Sequence, residues 1–141
     1  MNTFQIGDII AGNNSWIMGL IGARSVVGVI IHTGLYSSIV HLFTSNEDIT
    51  LMNDYIDKLP MDYNDDLKIG DLVELKPTIK HIISIRGVGT ILGETVIRTS
   101  DFDGKWTEDS IHAFLVYFLE EDYEYTIPCN CLQLFSITKN D

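Results

Sequence analysis

The sequence resembles itself, and this self-similarity constrains the fold more than any other feature of the chain. Phe4-Gln5-Ile6-Gly7-Asp8-Ile9-Ile10 returns 63 residues later as Leu67-Lys68-Ile69-Gly70-Asp71-Leu72-Val73. Val27-Gly28-Val29-Ile30-Ile31 returns at an offset of 61 as Val88-Gly89-Thr90-Ile91-Leu92, and Ile39-Val40-His41-Leu42-Phe43 is answered at 75 by Phe114-Leu115-Val116-Tyr117-Phe118. Glu47-Asp48 followed by Ile56 corresponds to Glu121-Asp122 followed by Leu132. Blocks that keep their order at a nearly constant offset mark a repeated supersecondary unit. The step from 61 to 75 places an insertion of about 14 residues in the second copy, between Gly93 and Phe114. Asp101-Phe102-Asp103-Gly104 supplies strong turn chemistry inside it.

Each copy reads as strands. Ile9-Ile10, Val26 to Ile31, Ile39 to Phe43, Ile69 to Leu75, Ile79 to Ile85, Thr90 to Ile97, Ile111 to Leu119 and Glu124 to Ile127 are rich in β-branched and aromatic residues, separated by Gly, Asn, Asp or Pro. One stretch departs from this: Leu51, Tyr55, Ile56 and Leu59 fall at helical spacing, predicting a short helix within 46–59 that Ser45 or Asn46 could cap. Pro60-Met61-Asp62-Tyr63-Asn64-Asp65-Asp66 has the composition of a solvated linker. The predicted organisation is all-β: a first unit over 1–60, a linker over 61–67, and a second unit over 68–141 carrying an inserted hairpin near 98–110.

The second copy shows the pattern best. It runs through Ile69-Gly70-Asp71-Leu72-Val73, Arg86-Gly87-Val88-Gly89-Thr90-Ile91, Ala113 to Phe118, Glu124-Tyr125-Thr126-Ile127-Pro128 and Leu132-Gln133-Leu134. This order resembles small five-stranded SH3-like and Tudor-like barrels, in particular the RNA-polymerase-interaction module of CarD and transcription-repair coupling factors. The resemblance implies two tandem SH3-like barrels arising from an internal duplication, and a host RNA polymerase as one expected partner. The chain is also similar in style to small accessory proteins of tailed bacteriophages. It departs from the CarD-type pattern in the longer, more apolar run Thr78 to Ile85. The shared residues have physical reasons: Gly70 permits an unusual backbone angle, Asp71 can bond neighbouring amides, and Pro128 ends an edge strand without needing a ladder donor.

Charge narrows the partners. Lys and Arg number 9 against 20 Asp and Glu, a formal charge of -11 with a pI near 4.5. Nucleic acid and anionic lipid are repelled on average by such a surface. Residues 1–67 carry 2 bases and 8 acids, and residues 68–141 carry 7 and 12, so both copies are acidic. Lys76, Lys80, His81 and Arg86 form the single stretch on which contact with nucleic acid could be argued, and edge-strand lysines that discourage aggregation explain it as well. No apolar run reaches the roughly 20 residues that span a bilayer, and the first residues lack the pattern of a signal peptide. The expected location is the cytoplasm of a host cell or a virion.

Chemistry-bearing motifs are sparse. Cys129 and Cys131 are too few and too close for a disulfide framework, and their spacing does not match the paired ligands of structural zinc. Asp101-Phe102-Asp103-Gly104-Lys105 begins like a calcium loop, but Lys105 at the fifth place and His112 at the twelfth spoil it. No nucleophile elbow, metalloprotease helix or phosphate loop occurs. The chain is therefore expected to hold no catalytic, cofactor-binding or metal-binding residues and to act by binding. Two candidate partner-binding segments carry exposed-anchor chemistry: Trp16, Ile17 and Met18 between glycines, and Phe102 and Trp106 on the inserted hairpin. The function expected is a non-enzymatic protein-interaction module, a phage-type virion or accessory component that contacts protein partners or itself. A polymerase-binding transcription factor and an acidic mimic of nucleic acid that blocks a basic groove are the alternatives.

Overall fold

The computed structural model describes residues 3–13, 26–61, 66–80, 82–83 and 85–135. Trp16, Ile17, Met18, His81 and residues 62–65 of the expected linker lie outside them. Two five-stranded antiparallel sheets account for most of the described chain. The first contains β1 (Ile9–Gly12), β2 (Val27–Thr33), β3 (Ser37–Leu42), β4 (Glu47–Met52) and β5 (Ile56–Lys58). The second contains β6 (Leu72–Leu75), β7 (Gly89–Ser100), β8 (Trp106–Phe118), β9 (Tyr123–Pro128) and β10 (Leu132–Leu134).

Strand order is the same in both sheets. The first runs β4-β3-β2-β1-β5 and the second β9-β8-β7-β6-β10, so in each the fifth strand pairs with the first. The fourth and fifth strands, at opposite ends of the order, are joined only by a 3-10 turn, Asn53–Tyr55 in one sheet and Cys129–Cys131 in the other. A link of three residues spans at most about 14 Å. In a flat sheet the same strands would stand about 19 Å apart. Each sheet must therefore curl enough to bring its end strands within that span, although among the described residues no ladder joins them into a continuous barrel.

Local geometry repeats with the same fidelity. Gly7 and Gly70 both hold positive φ, +97° and +95°. Their N–H groups donate to the carbonyls of Ile30 and Ile91, each over 2.8 Å. The following aspartate bonds back in each case, Asp8 accepting from the Gln5 amide and Asp71 from the Lys68 amide, both at 2.8 Å. This is the amide-bonding role that the Gly-Asp motif suggested. A bulge interrupts β2 between Ile30 and His32, and another interrupts β7 between Ile91 and Gly93. The turns into the fourth strands use a left-handed residue, Asn46 and Asp122.

The core explains the hydrophobic runs. Ile10, Ile30, Val40, Leu42, Leu51 and Ile56 fill the inside of the first curl. Their neighbours Ile9, Val29, Ile31, Ile39 and Phe43 point the other way and join one cluster with Val73, Ile91, Ile97, Phe114, Val116, Phe118, Ile127 and Leu132 of the second half. Strands buried on both faces carry near-continuous apolar sequence, which is why Val26 to Ile31 and Ile39 to Phe43 lack alternation. The second half supplies the cover through β7, which lies against β2.

Two expectations need correction. The helix expected within 46–59 is absent: β4 pairs with β3 from Leu42 and Glu47 to Ser37 and Met52, and the chain then makes the 3-10 turn and β5. The apolar spacing there came from Leu51 on a strand and Ile56 on the next, each facing the same core. Conversely, the strand expected over Ile79 to Ile85 begins as the short helix α1 (Pro77–Lys80). Pro77 suits a first helical turn, having no amide to offer a ladder. Ile79, Ile82 and Ile83 stand at helical spacing, with Ile79 and Ile83 buried in the shared core.

Candidate binding surfaces

The β7–β8 hairpin, where the insertion was expected, is long: its strands have 12 and 13 residues, against 7 and 6 for β2 and β3. Its tip is an aspartate-held turn: Asp101 Oδ1 accepts from the amides of Asp103 and Lys105, at 3.0 and 2.9 Å, and Gly104 takes positive φ. Further down, the buried Thr99 hydroxyl bonds Thr107 and the carbonyl of Asp109, fixing the bulge in β8. The hairpin thus presents its two aromatics from a stiff support.

Those aromatics go to different places. Phe102 bends back onto the first half, its ring meeting His32 edge-on at 4.6 Å and covering the backbone at Gly34, and it remains 48% exposed. Trp106 is 59% exposed, with the Arg98 guanidinium 4.9 Å from the ring centroid. It borders a cleft of about 310 Å³ whose other wall is the β3–β4 turn of the first half, with His41, Asn46 and Asp48. His41 Nδ1 donates to Asp48 Oδ1 over 2.7 Å, because a carboxylate can only accept there. The structure does not bring Phe102 and Trp106 into one site.

A second exposed group was not anticipated from sequence. Leu35 and Tyr36, in the β2–β3 turn, are 78% and 76% exposed, and Met52, at the end of β4 beside this turn, is half exposed. Asn53 holds the turn, its side-chain amide donating to the carbonyls of Gly34 and Leu35 at 3.1 and 3.4 Å while its Oδ1 accepts from Ser38 Oγ at 2.7 Å. The Asn53 amide adds a bond to the Tyr36 carbonyl. Through Gly34, this tip adjoins Phe102. Asp54, Asp101 and Asp103 stand beside these residues in the chain, with Lys105 the nearest cation on the hairpin. The sequence signal that could have found it is the Gly34-Leu35-Tyr36 turn, where two large side chains sit at a position usually given to polar residues.

The remaining candidates take structural places. Lys80 pairs with Glu74 at 3.5 Å and Arg86 with Glu121 at 3.4 Å, so these two cations of the expected basic edge face carboxylates. Cys129 and Cys131 are the ends of the second 3-10 turn, matching Asn53 and Tyr55 of the first. Burial pushes both thiols above the ordinary value, away from the thiolate that metal binding or nucleophilic attack requires. Among the described residues, no group of three His, Cys, Asp or Glu converges as a metal site would need. No described helix is long and apolar enough to cross a membrane.

Fold and surface together define a class: an all-β chain of two curled five-stranded antiparallel sheets joined by a shared core cluster, with large apolar side chains exposed at several hairpin ends. No protein-family model, curated protein or solved structure matches it.

Proposed function

We propose that this chain is a non-enzymatic protein-interaction module built from two duplicated SH3-like units, over 1–60 and 68–141 with a linker over 61–67. The duplication is supported by the shared strand order, the paired Gly-Asp turns, the matching bulges and the two 3-10 turns. The SH3-like reading is supported by the curl that those 3-10 turns impose.

The observation that carries the interaction reading is the cluster of Leu35, Tyr36, Met52 and Phe102 at one end of the molecule. Large side chains held in solvent by a hydrogen-bonded turn lose little conformational entropy on docking, and aromatic residues dominate the energetics of such contacts. The flanking Asp54, Asp101 and Asp103, within a molecule of charge -11, favour a partner whose apolar pocket has a basic rim. Identical copies carry the same acidic rim, so a different protein fits better than self-assembly. A mimic of nucleic acid needs carboxylates free along one face, whereas Asp8, Asp71, Asp101 and Glu121 bond their own backbone.

A photo-crosslinking amino acid placed at position 36 tests this. It should capture a partner, either a structural protein of a phage-type particle or a subunit of host RNA polymerase, that the same probe at the distant Glu120 does not. Tyr36→Ala should then weaken binding of that partner by about 2 kcal/mol or more in calorimetry, without altering folding. Equal capture from both positions, or unchanged affinity, would remove the patch from consideration.

A further inference from the structure

The cleft beside Trp106 is independent of the hairpin-tip patch and has a different chemistry. Neither half builds it alone. His41, Asn46 and Asp48 come from the first half, Val96, Arg98 and Trp106 from the inserted hairpin. The insertion therefore adds a site that a single five-stranded unit would lack.

Three features restrict what it can hold. First, the Arg98 guanidinium lies over the Trp106 indole, and the tryptophan, 59% exposed, still offers aromatic surface to the cleft beside half-exposed Val96. A flat aromatic surface next to open water binds a rigid ligand with an apolar face. Second, the remaining lining is hydrogen-bonding and of both senses. Arg98 only donates, Asp48 only accepts, and Asn46 and Thr126 do both. Asp48 is oriented by His41, whereas Arg98 has no carboxylate within 4.0 Å among the described residues, although the molecule carries 20 acids. Third, the opposed charges of Arg98 and Asp48 penalise any ligand with a net charge, an anion at Asp48 and a cation at Arg98. The volume of about 310 Å³ lies at the small end of ligand pockets, room for one ring and little more.

A neutral ring with an apolar C–H face and a rim of vicinal hydroxyls meets all three conditions. We infer that the cleft is a saccharide-binding site for a neutral pyranose, its C–H face stacked on Trp106 and its hydroxyls shared between Asn46, Asp48 and Thr126. A peptide segment fits less well, since the cleft offers one apolar wall and no series of side-chain pockets at strand spacing.

The test is an amide-proton NMR titration of the full chain with neutral methyl pyranosides of glucose, galactose and mannose and their trisaccharides. At least one should give saturable shifts confined to Asn46, Asp48, Val96, Arg98, Thr126 and the Trp106 indole N–H, with a Kd on the order of 1 mM. Trp106→Ala and Asp48→Ala should each weaken that binding about tenfold or more with the amide spectrum still dispersed, and Trp106→Phe should retain part of it. Tyr36→Ala should leave it unchanged, which separates this site from the protein-docking patch. A uronic acid or amino sugar of the same ring should bind more weakly than the neutral form. Absence of saturable shifts with every saccharide, shifts that survive Trp106→Ala, or tighter binding of the charged sugars would each overturn the assignment.

Discussion

Gly28 and Gly89 occupy corresponding places, opposite Leu42 and Phe118 in their ladders. Neither needs an unusual backbone angle. What they need is space: an added Cβ would lie 2.5 Å from Val40 Cγ1 in the first half and 2.4 Å from Val116 Cγ1 in the second. Gly7 and Gly70 show the opposite requirement, with positive φ and nothing within 4 Å of an added Cβ. The Val-Gly and Gly-Asp blocks of the repeat thus mark two different constraints, one of packing and one of conformation. Because the Val116 side chain is the obstacle, Gly89→Ala should destabilise the protein by about 1–3 kcal/mol through overpacking. Adding Val116→Ala should recover part of that loss, so the double variant is more stable than the sum of the single effects. Urea unfolding of the four proteins measures this. Strict additivity would show that backbone strain, and not the valine, sets the need for glycine.

Among the elements, the β7–β8 hairpin does most to distinguish the halves. Its length places Ile97 in one cluster with the outer face of the first sheet, where Val29 and Ile31 are fully buried. Replacing the segment from Thr95 to His112 by a two-residue turn should therefore expose that face. The shortened chain should bind a hydrophobic dye and unfold at lower urea, and full retention of stability without dye binding would show that the hairpin is not the cover. The long hairpin was legible, since the change of offset gave its place and Asp101-Phe102-Asp103-Gly104 its turn. Its direction was not legible, because a hairpin that reaches outward and one that folds back have the same local sequence. The strands with repeated blocks were legible too. β4 and β5 were missed because only a three-residue 3-10 turn separates them, so Leu51, Tyr55 and Ile56 imitate helical spacing. α1 was misread because β-branched content outweighed the helical spacing of Ile79, Ile82 and Ile83. Of the exposed side chains, Trp106 and Phe102 were singled out by residue type, but no reading covered Leu35 and Tyr36, which lie between the strands expected over Val26 to Ile31 and Ile39 to Phe43. Only the bonds from Asn53 show that the turn holds them in solvent. The cleft unites residues from β3 to β9, and no local pattern encodes that meeting.

At the scale of the whole molecule, the decisive fact is that the two sheets are not two separate cores. The inside of the first curl forms a cluster of its own, but its outer residues Ile9, Val29, Ile31, Ile39 and Phe43 belong to the same cluster as the interior of the second. Units of roughly 60 to 70 residues are marginal when their only stabilisation is one small core. Sharing a layer removes that limit for the first half, at the cost of making it dependent on the second. Exposing those five side chains would forfeit about 1.5–3 kcal/mol each for full burial, comparable in sum to the net stability of an ordinary domain. The chain should therefore unfold as one cooperative unit despite its repeated sequence blocks. Amide signals of Val40 and Val116, followed through the same urea titration, should disappear with coincident midpoints, and the slope of the transition should correspond to the surface of the full chain. Separated midpoints would mean that the halves fold independently. The shared layer would then be a docking contact between domains, and the cleft at Trp106 would open and close as they part.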